Sequence, residues 1–336
     1  MAELTGVKKL RRLQMGRETT TTPGSAVEAT DTWRGTGTIE DGTVVIFPDE
    51  DIGLYPGTTR SYIPSEAARL TMDETPATFQ QILHIFEAGI HETTADDDGT
   101  GLRYTFTFPT TVSDTIRTYT IEGGDNIEAE EMEYSFVEHF TLSGAPGEAL
   151  MLTADWVGRQ VSTCSFTSTA TCGLPTVEEI LFNKGKLYID DDTGTFGSSQ
   201  LTSTWLEFNM DVNTGWQPVT TGDGNLYFTY IKNIGPEITL DLVLEHNAAS
   251  LNEKDDWKVQ RGKIVRMTFE GSSFTAGTSF SKETLRLDLA GKFEKFEKLG
   301  ERNGNDVYEA TFKGGYSAES ASYATFLTVV TQAAVA

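Results

Sequence analysis

The residue types that could do chemistry are abundant in this chain, but they do not gather into a recognisable catalytic pattern. Fifty of its 336 residues are Asp or Glu. A carboxylate pair of the kind that hydrolyses a glycosidic bond is therefore always at hand, and chance alone supplies such pairs. Asp96-x-Asp98-x-Thr100-Gly101 resembles the start of a calcium loop, but Thr107 stands where the bidentate Glu belongs, so the stretch reads as a turn. Asp190-Asp191-Asp192-Thr193-Gly194 reads the same way. His84 and His91 lie seven apart without the spacing of a zinc site, and His139 and His246 are isolated. There is no Gly-x-Ser-x-Gly elbow and no Gly-x4-Gly-Lys-Ser/Thr loop. Trp205, Trp216, Tyr227 and Tyr230 could line a carbohydrate pocket or fill a core. We therefore expect no enzyme, no metal and no cofactor. A β-sandwich carbohydrate binder and an acid-pair hydrolase stay open as alternatives.

The elements that would position these residues are mostly strands. Tyr104, Phe106 and Phe108, and Tyr134 and Phe136, alternate with polar residues, as one-face-buried strands do. Further strands are expected at 44–47, 67–72, 102–108, 116–121, 132–142 and 149–157, then at 187–189, 205–212, 238–244, 264–269, 284–289, 307–312 and 323–330. The clearest helix starts at Pro76, shows Phe79, Ile82, Leu83 and Phe86 at helical spacing, and stops at Gly89. A second, weaker helix opens on Ser250-x-x-Glu253 and runs to about Val259. The order strand, helix, strands occurs twice. Residues 238–244 match the strand before the first helix, 264–269 match 104–108, 284–289 match 115–120, and 307–312 match 150–156. The expected fold is mainly β, in two tandem duplicated units. Residues 1–32 form an N-terminal arm, 33–163 a first unit, 164–173 a Ser/Thr-rich linker and 174–336 a second unit.

The formal net charge is −24. Binding a nucleic acid needs cations that displace its counterions, so a direct nucleic-acid binder is excluded. Residues 91–155 hold fourteen acids and only Arg103 and Arg117 against them, a net of −12. Glu128, Glu130, Glu131 and Glu133 are the candidate acidic face. Lys8, Lys9, Arg11, Arg12 and Arg17 make the opposite patch, on the N-terminal arm. No apolar run follows them as in a secretory signal, and none is long enough to span a bilayer, so no membrane binding is expected. Cys164 and Cys172 are expected to be reduced thiols of a chain made in a cytoplasm.

Leu13-Gln14-Met15-Gly16-Arg17-Glu18-Thr19, followed by Gly24-Ser25-Ala26-Val27 and Ala29-Thr30, resembles the opening of phage tail tube proteins of long non-contractile tails, two-domain class. The resemblance implies a β-sandwich with a flanking short helix in each unit. It implies homotrimeric rings of pseudo-sixfold symmetry that stack head to tail in a virion tail assembled in the host cytoplasm. The implied partners are other copies of the chain, a tape-measure protein, and tail terminator and distal tail proteins. Genomic DNA would pass through without specific binding. Closing sheets between subunits would hide strand edges, and a negative lumen, for which Glu128, Glu130, Glu131 and Glu133 are the candidates, would keep DNA from sticking. Lys8, Lys9, Arg11, Arg12 and Arg17 are then the candidate inter-ring arm.

Overall fold

Alternating sequences make strands with one oily face, and such faces must meet in layers. The computed structural model describes residues 5–330, except 56, 113–114, 275–278 and 303, and is mainly β. The outer ends of the expected arm and second unit, and Asp114 of the acidic count, lie outside the described residues. The first half holds β1 (Arg12–Arg17), β2 (Asp31–Thr32), β3 (Gly37–Asp41), β4 (Val44–Ile46), β5 (Tyr62–Ser65), β6 (Ala68–Pro76), α1 (Ile82–Gly89), β7 (Asp96–Asp98), β8 (Gly101–Thr107), β9 (Tyr119–Gly124), β10 (Ala129–Gly144), β11 (Met151–Gly158) and β12 (Val161–Cys164). The second half holds β13 (Gly185–Asp191), β14 (Trp205–Asn213), β15 (Trp216–Val219), β16 (Tyr230–Asn233), β17 (Glu237–Glu245), α2 (Ala248–Lys258), β18 (Lys263–Ser273), β19 (Lys282–Arg302), β20 (Asn305–Gly314) and β21 (Ala324–Val330).

Every ladder is antiparallel, and two long strands organise them. The start of β10 pairs with β9 and β12, and its end pairs with β11 and β14. It changes partners at a bulge where Tyr134 adopts φ 53°. The start of β19 pairs with β18 and β21, and its end with β20. Its change of partners falls at Gly291, which pairs with both Lys263 and Gly314. A Cβ at Gly291 would lie 2.1 Å from the Lys313 carbonyl oxygen, so only glycine fits this crossing.

The same order of pairings therefore occurs twice. One set is β1–β9–β10–β12 with β3–β6–β11–β10, and the other is β13–β18–β19–β21 with β14–β17–β20–β19. The bulges agree as well. Glu138 is the extra residue between Val137 and His139, and Glu294 between Phe293 and Lys295. By pairing, the counterpart of β18 is β9, not residues 104–108, and that of β19 is β10. Apolar alternation marks a strand but does not name its partner, so the matches of 264–269 and 284–289 slipped by one strand, while those of 238–244 and 307–312 agree with the pairing. The hairpin β7–β8 has no counterpart among the described residues, and it lays β8 against β21.

The β10–β14 ladder joins the halves into one eight-stranded sheet, β3–β6–β11–β10–β14–β17–β20–β19. The sheet of β1, β9, β10 and β12 packs on one half of it, with the Tyr119 and Trp156 rings 5.6 Å apart. The sheet of β13, β18 and β19 packs on the other, with the Phe208 and Phe269 rings 5.9 Å apart. The core crosses between the halves, since Phe86 of α1 touches Phe106, Phe140 and Phe326.

Both helices begin elsewhere than expected. Pro76 ends β6 opposite Met151, a strand end where its missing N–H costs little, and α1 begins at Ile82. The box that caps α2 is Asn247 with Ser250, not Ser250 with Glu253. The arm also shortens. Arg12–Arg17 is a buried strand paired with β9 and with β2, so only residues before it remain outside the sandwich.

Candidate assembly surface

Two edges of the eight-stranded sheet are unpaired among the described residues. β3 pairs only with β6, and β19 beyond Gly291 pairs only with β20. A row of free N–H and C=O groups is a template for another strand. The two edges differ in charge: β3 ends in Glu40 and Asp41, both exposed, whereas β19 interleaves exposed Lys292, Lys295 and Lys298 with exposed Glu294 and Glu297, and Lys295 pairs with Glu297 at 2.9 Å. One edge carbonyl is already engaged, as Trp257 Nε1 donates to Glu294 O at 3.1 Å.

The joint between the halves displays such an edge in its paired state. β14, the counterpart of β3, lies along β10, the counterpart of β19, with Asn213 opposite His139, Asp211 opposite Thr141 and Phe208 opposite Gly144. His139 Nε2 lies 3.0 Å from Asp211 diagonally across the joint, and its Nδ1 lies 3.5 Å from Asp155. Beyond the joint the hairpin β15–β16 folds over the first half. Trp216 and Phe228 bury themselves against Ile116, Tyr134, Phe136 and Val157. Arg159 lies over the Tyr134 ring, 4.3 Å from its centre, and donates to the Thr229 carbonyl.

One face of the eight-stranded sheet is the core, and the other is polar. Ala154, Met210, Leu240 and Phe312 point inward, while their neighbours Asp155, Asp211, Asp241 and Thr311 point out. The outer side chains bond along the sheet. Thr71 donates to Asp155 at 3.0 Å, Thr311 to Asp241 at 2.6 Å, and Thr141 shares a proton with Thr153 at 2.7 Å. The result is a Thr/Asp surface whose cations gather toward the β19 edge, where Lys295 lies opposite Thr311 and Lys292 opposite Lys313.

The residues singled out from the sequence are scattered. Glu128, Glu130, Glu131 and Glu133 do not form one face. Glu128 lies in the β9–β10 turn, Glu130 and Glu131 point to opposite sides of β10, and Glu133 is buried beside the bulge, taking a hydrogen bond from Gln160 at 3.0 Å. All four belong to the other sheet, not to the eight-stranded one. Burial and neighbouring acids raise the pKa of Glu130 and Glu131. Beside them, burial first and then Glu131, Glu122 and Glu130 push the Cys164 thiol up to about 11. The basic set splits too. Lys8, Lys9 and Arg11 are exposed, and Arg12 lies over the Phe166 ring at 3.9 Å. Arg17 pairs with buried Glu87, which also accepts from Tyr119. His84 joins that buried network through Tyr119 and Asp31.

The remaining sequence candidates are structural. Asp98 accepts from the N–H groups of Ser279 and Phe280, and Asp190 from those of Gly197, Ser198 and Ser199. Asp191 sits with Glu253 and Asp256 around buried Lys263, at 2.9, 3.1 and 2.6 Å. Of the four candidate aromatics, Trp205 packs among Phe182, Phe208 and Phe269, and Trp216 in the hairpin cluster. The two indoles therefore lie in separate clusters. The sequence reading missed the sheet edges, and only the Glu40–Asp41 and Lys292–Lys298 charge runs could have signalled them.

No protein-family model matches the chain, and no curated protein shows significant sequence similarity to it.

Proposed function

We propose that this chain is a tandem duplication that polymerises through its sheet edges into the rings of a phage tail tube. The observation that carries the proposal is the β10–β14 joint. Within one chain it pairs the counterparts of the two free edges, so the same operation adds β3 of one copy to β19 of the next. Each copy then contributes eight strands, and three copies close a ring of six similar units. A single operation that links unlike edges is heterologous, and such contacts close into rings or extend into filaments. The polar face of the eight-stranded sheet lines the lumen in this reading. Its aspartates repel a polyanion, and its threonines offer it no charge to bind. This assigns the lumen to Asp155, Asp211 and Asp241 rather than to Glu128–Glu133.

The opening resemblance at residues 13–30 supports the same reading. Electron microscopy of the purified protein tests it. Rings or hollow tubes about 100 Å wide, the width of a few 20–30 Å units around a pore, are the expected result. A chain that stays monomeric at millimolar concentration overturns it.

A further inference from the structure

The hairpin β4–β5 and its connecting loop hold the densest run of exposed large hydrophobic residues among the described residues. Nine of the twenty-one exposed large hydrophobic residues lie between Val44 and Ile63. Phe47 is 65% exposed and Leu54 59%. β4 and β5 pair only with each other, and no residue of either strand is buried. A two-stranded hairpin with an uncovered oily surface is marginal alone and marks an interaction site.

The second half shows what covers such a hairpin. β4–β5 connects β3 to β6, just as β15–β16 connects β14 to β17. β15–β16 is packed on the half that supplies β10, with Trp216 over Phe136 and Val157. Carried across the ladders from the bulges at Glu138 and Glu294, Ile39 holds the place of Met210, and Val45 therefore that of Trp216. Counting from the bulges at Glu294 and Glu138, the exposed pair Lys292 and Lys313 holds the place of Phe136 and Val157. These lysines lie directly opposite one another, and exposed Tyr316 follows two residues after Gly314 ends β20.

We infer that the β4–β5 hairpin of one copy docks on the Lys292–Lys313–Tyr316 surface of a second copy. This rests on the edge-to-edge reading, because the hairpin follows directly from β3. The chemistry is complementary. The hairpin presents apolar side chains and the acidic stretch Asp49-Glu50-Asp51, and the receiving surface presents ammonium groups on long alkyl stems beside an aromatic ring. Glu50 is engaged by Arg60 within the hairpin, which leaves Asp49 and Asp51 as the outward charges.

Two measurements on the full-length protein test it. In sedimentation equilibrium, Val45→Asp/Phe47→Asp and, separately, Lys292→Glu/Lys313→Glu are expected to weaken association at least tenfold, with the monomer's thermal midpoint unchanged. In an equal mixture of isotope-labelled and unlabelled protein, carbodiimide is expected to link Asp49 or Asp51 to Lys292 or Lys313 across copies. Wild-type association that both double variants leave untouched overturns the docking but leaves the tube reading standing. Small oligomers that need the hairpin but never form rings or tubes uphold the docking and overturn the tube. A wild type without any self-association overturns both.

Discussion

The joint between β10 and β14 and the free edges of β3 and β19 are built from corresponding parts, yet one is sealed and the other open. At the joint the strand pairing is complete, the hairpin that follows is buried on Phe136 and Val157, and His139 meets Asp211 across the seam. At the edges Lys295 stands in the place of His139 and Glu40 in that of Asp211, and the hairpin that follows carries exposed Val45 and Phe47. The difference teaches how one surface can serve two lifetimes. A permanent contact within a chain can be oily, because its partner is always present. A contact that must wait for another molecule is safer in charged form, since charge keeps the free edges soluble and steers the correct encounter.

The largest predicted effect breaks the sealed side. Phe228→Ala empties the cluster beneath β15–β16 and should cost about 3–5 kcal/mol in chemical denaturation. Phe47→Ala, on the uncovered hairpin, should change the monomer by less than about 0.5 kcal/mol. Equal losses at the two sites would end the distinction between covered and waiting hairpins. The next effect acts on the open side. Lys295→Glu should place two like charges across the inter-copy seam and weaken assembly about tenfold, and adding Glu40→Lys should restore it. Light scattering reads both, and failure of the second change to rescue the first would break the proposed register.

Smaller effects sharpen the same contrast. Raising salt from about 0.05 to 0.5 M should slow assembly several-fold by screening the charged edges, while the unfolding midpoint of the monomer moves little. His139→Lys imports the edge residue into the joint, where it can still reach Asp211. The cost should be below about 1 kcal/mol, as for other exposed ion pairs. The last test concerns the acids that lie off the seam. With its thiol pushed up to about 11, Cys164 should react slowly with iodoacetamide at pH 8, where only about one molecule in a thousand is thiolate. Glu131→Gln should speed that reaction without altering assembly, because Glu131 lies on the other sheet, away from the β3 and β19 edges.

Much of the fold was legible in the sequence. Tyr104, Phe106 and Phe108 alternate because one face of their strand is buried, and the run Ile238–Leu244 alternates for the same reason. The strong apolar face of the first helix was equally plain, although Pro76 misled about its start. The candidate site was far less legible. Glu128, Glu130, Glu131 and Glu133 look like one acidic stripe along the chain, but the bulge at Tyr134 and the buried contact to Gln160 divide them. Arg17 looks like part of a basic arm, yet Glu87, seventy residues away, holds it in the core.

The sequence by itself determined the strand-rich character, the acidity, the two short helices and the absence of familiar catalytic motifs. These depend on local period, composition and spacing, which a single chain displays directly. Only the tertiary structure decided which strand lies beside which, where β10 and β19 change partners, and which edges remain unpaired. Alternation specifies the face a side chain takes but says nothing about the neighbour across the ladder, because backbone hydrogen bonds are the same for every residue except proline. The seam at β10–β14, on which the functional reading turns, is a fact of pairing alone.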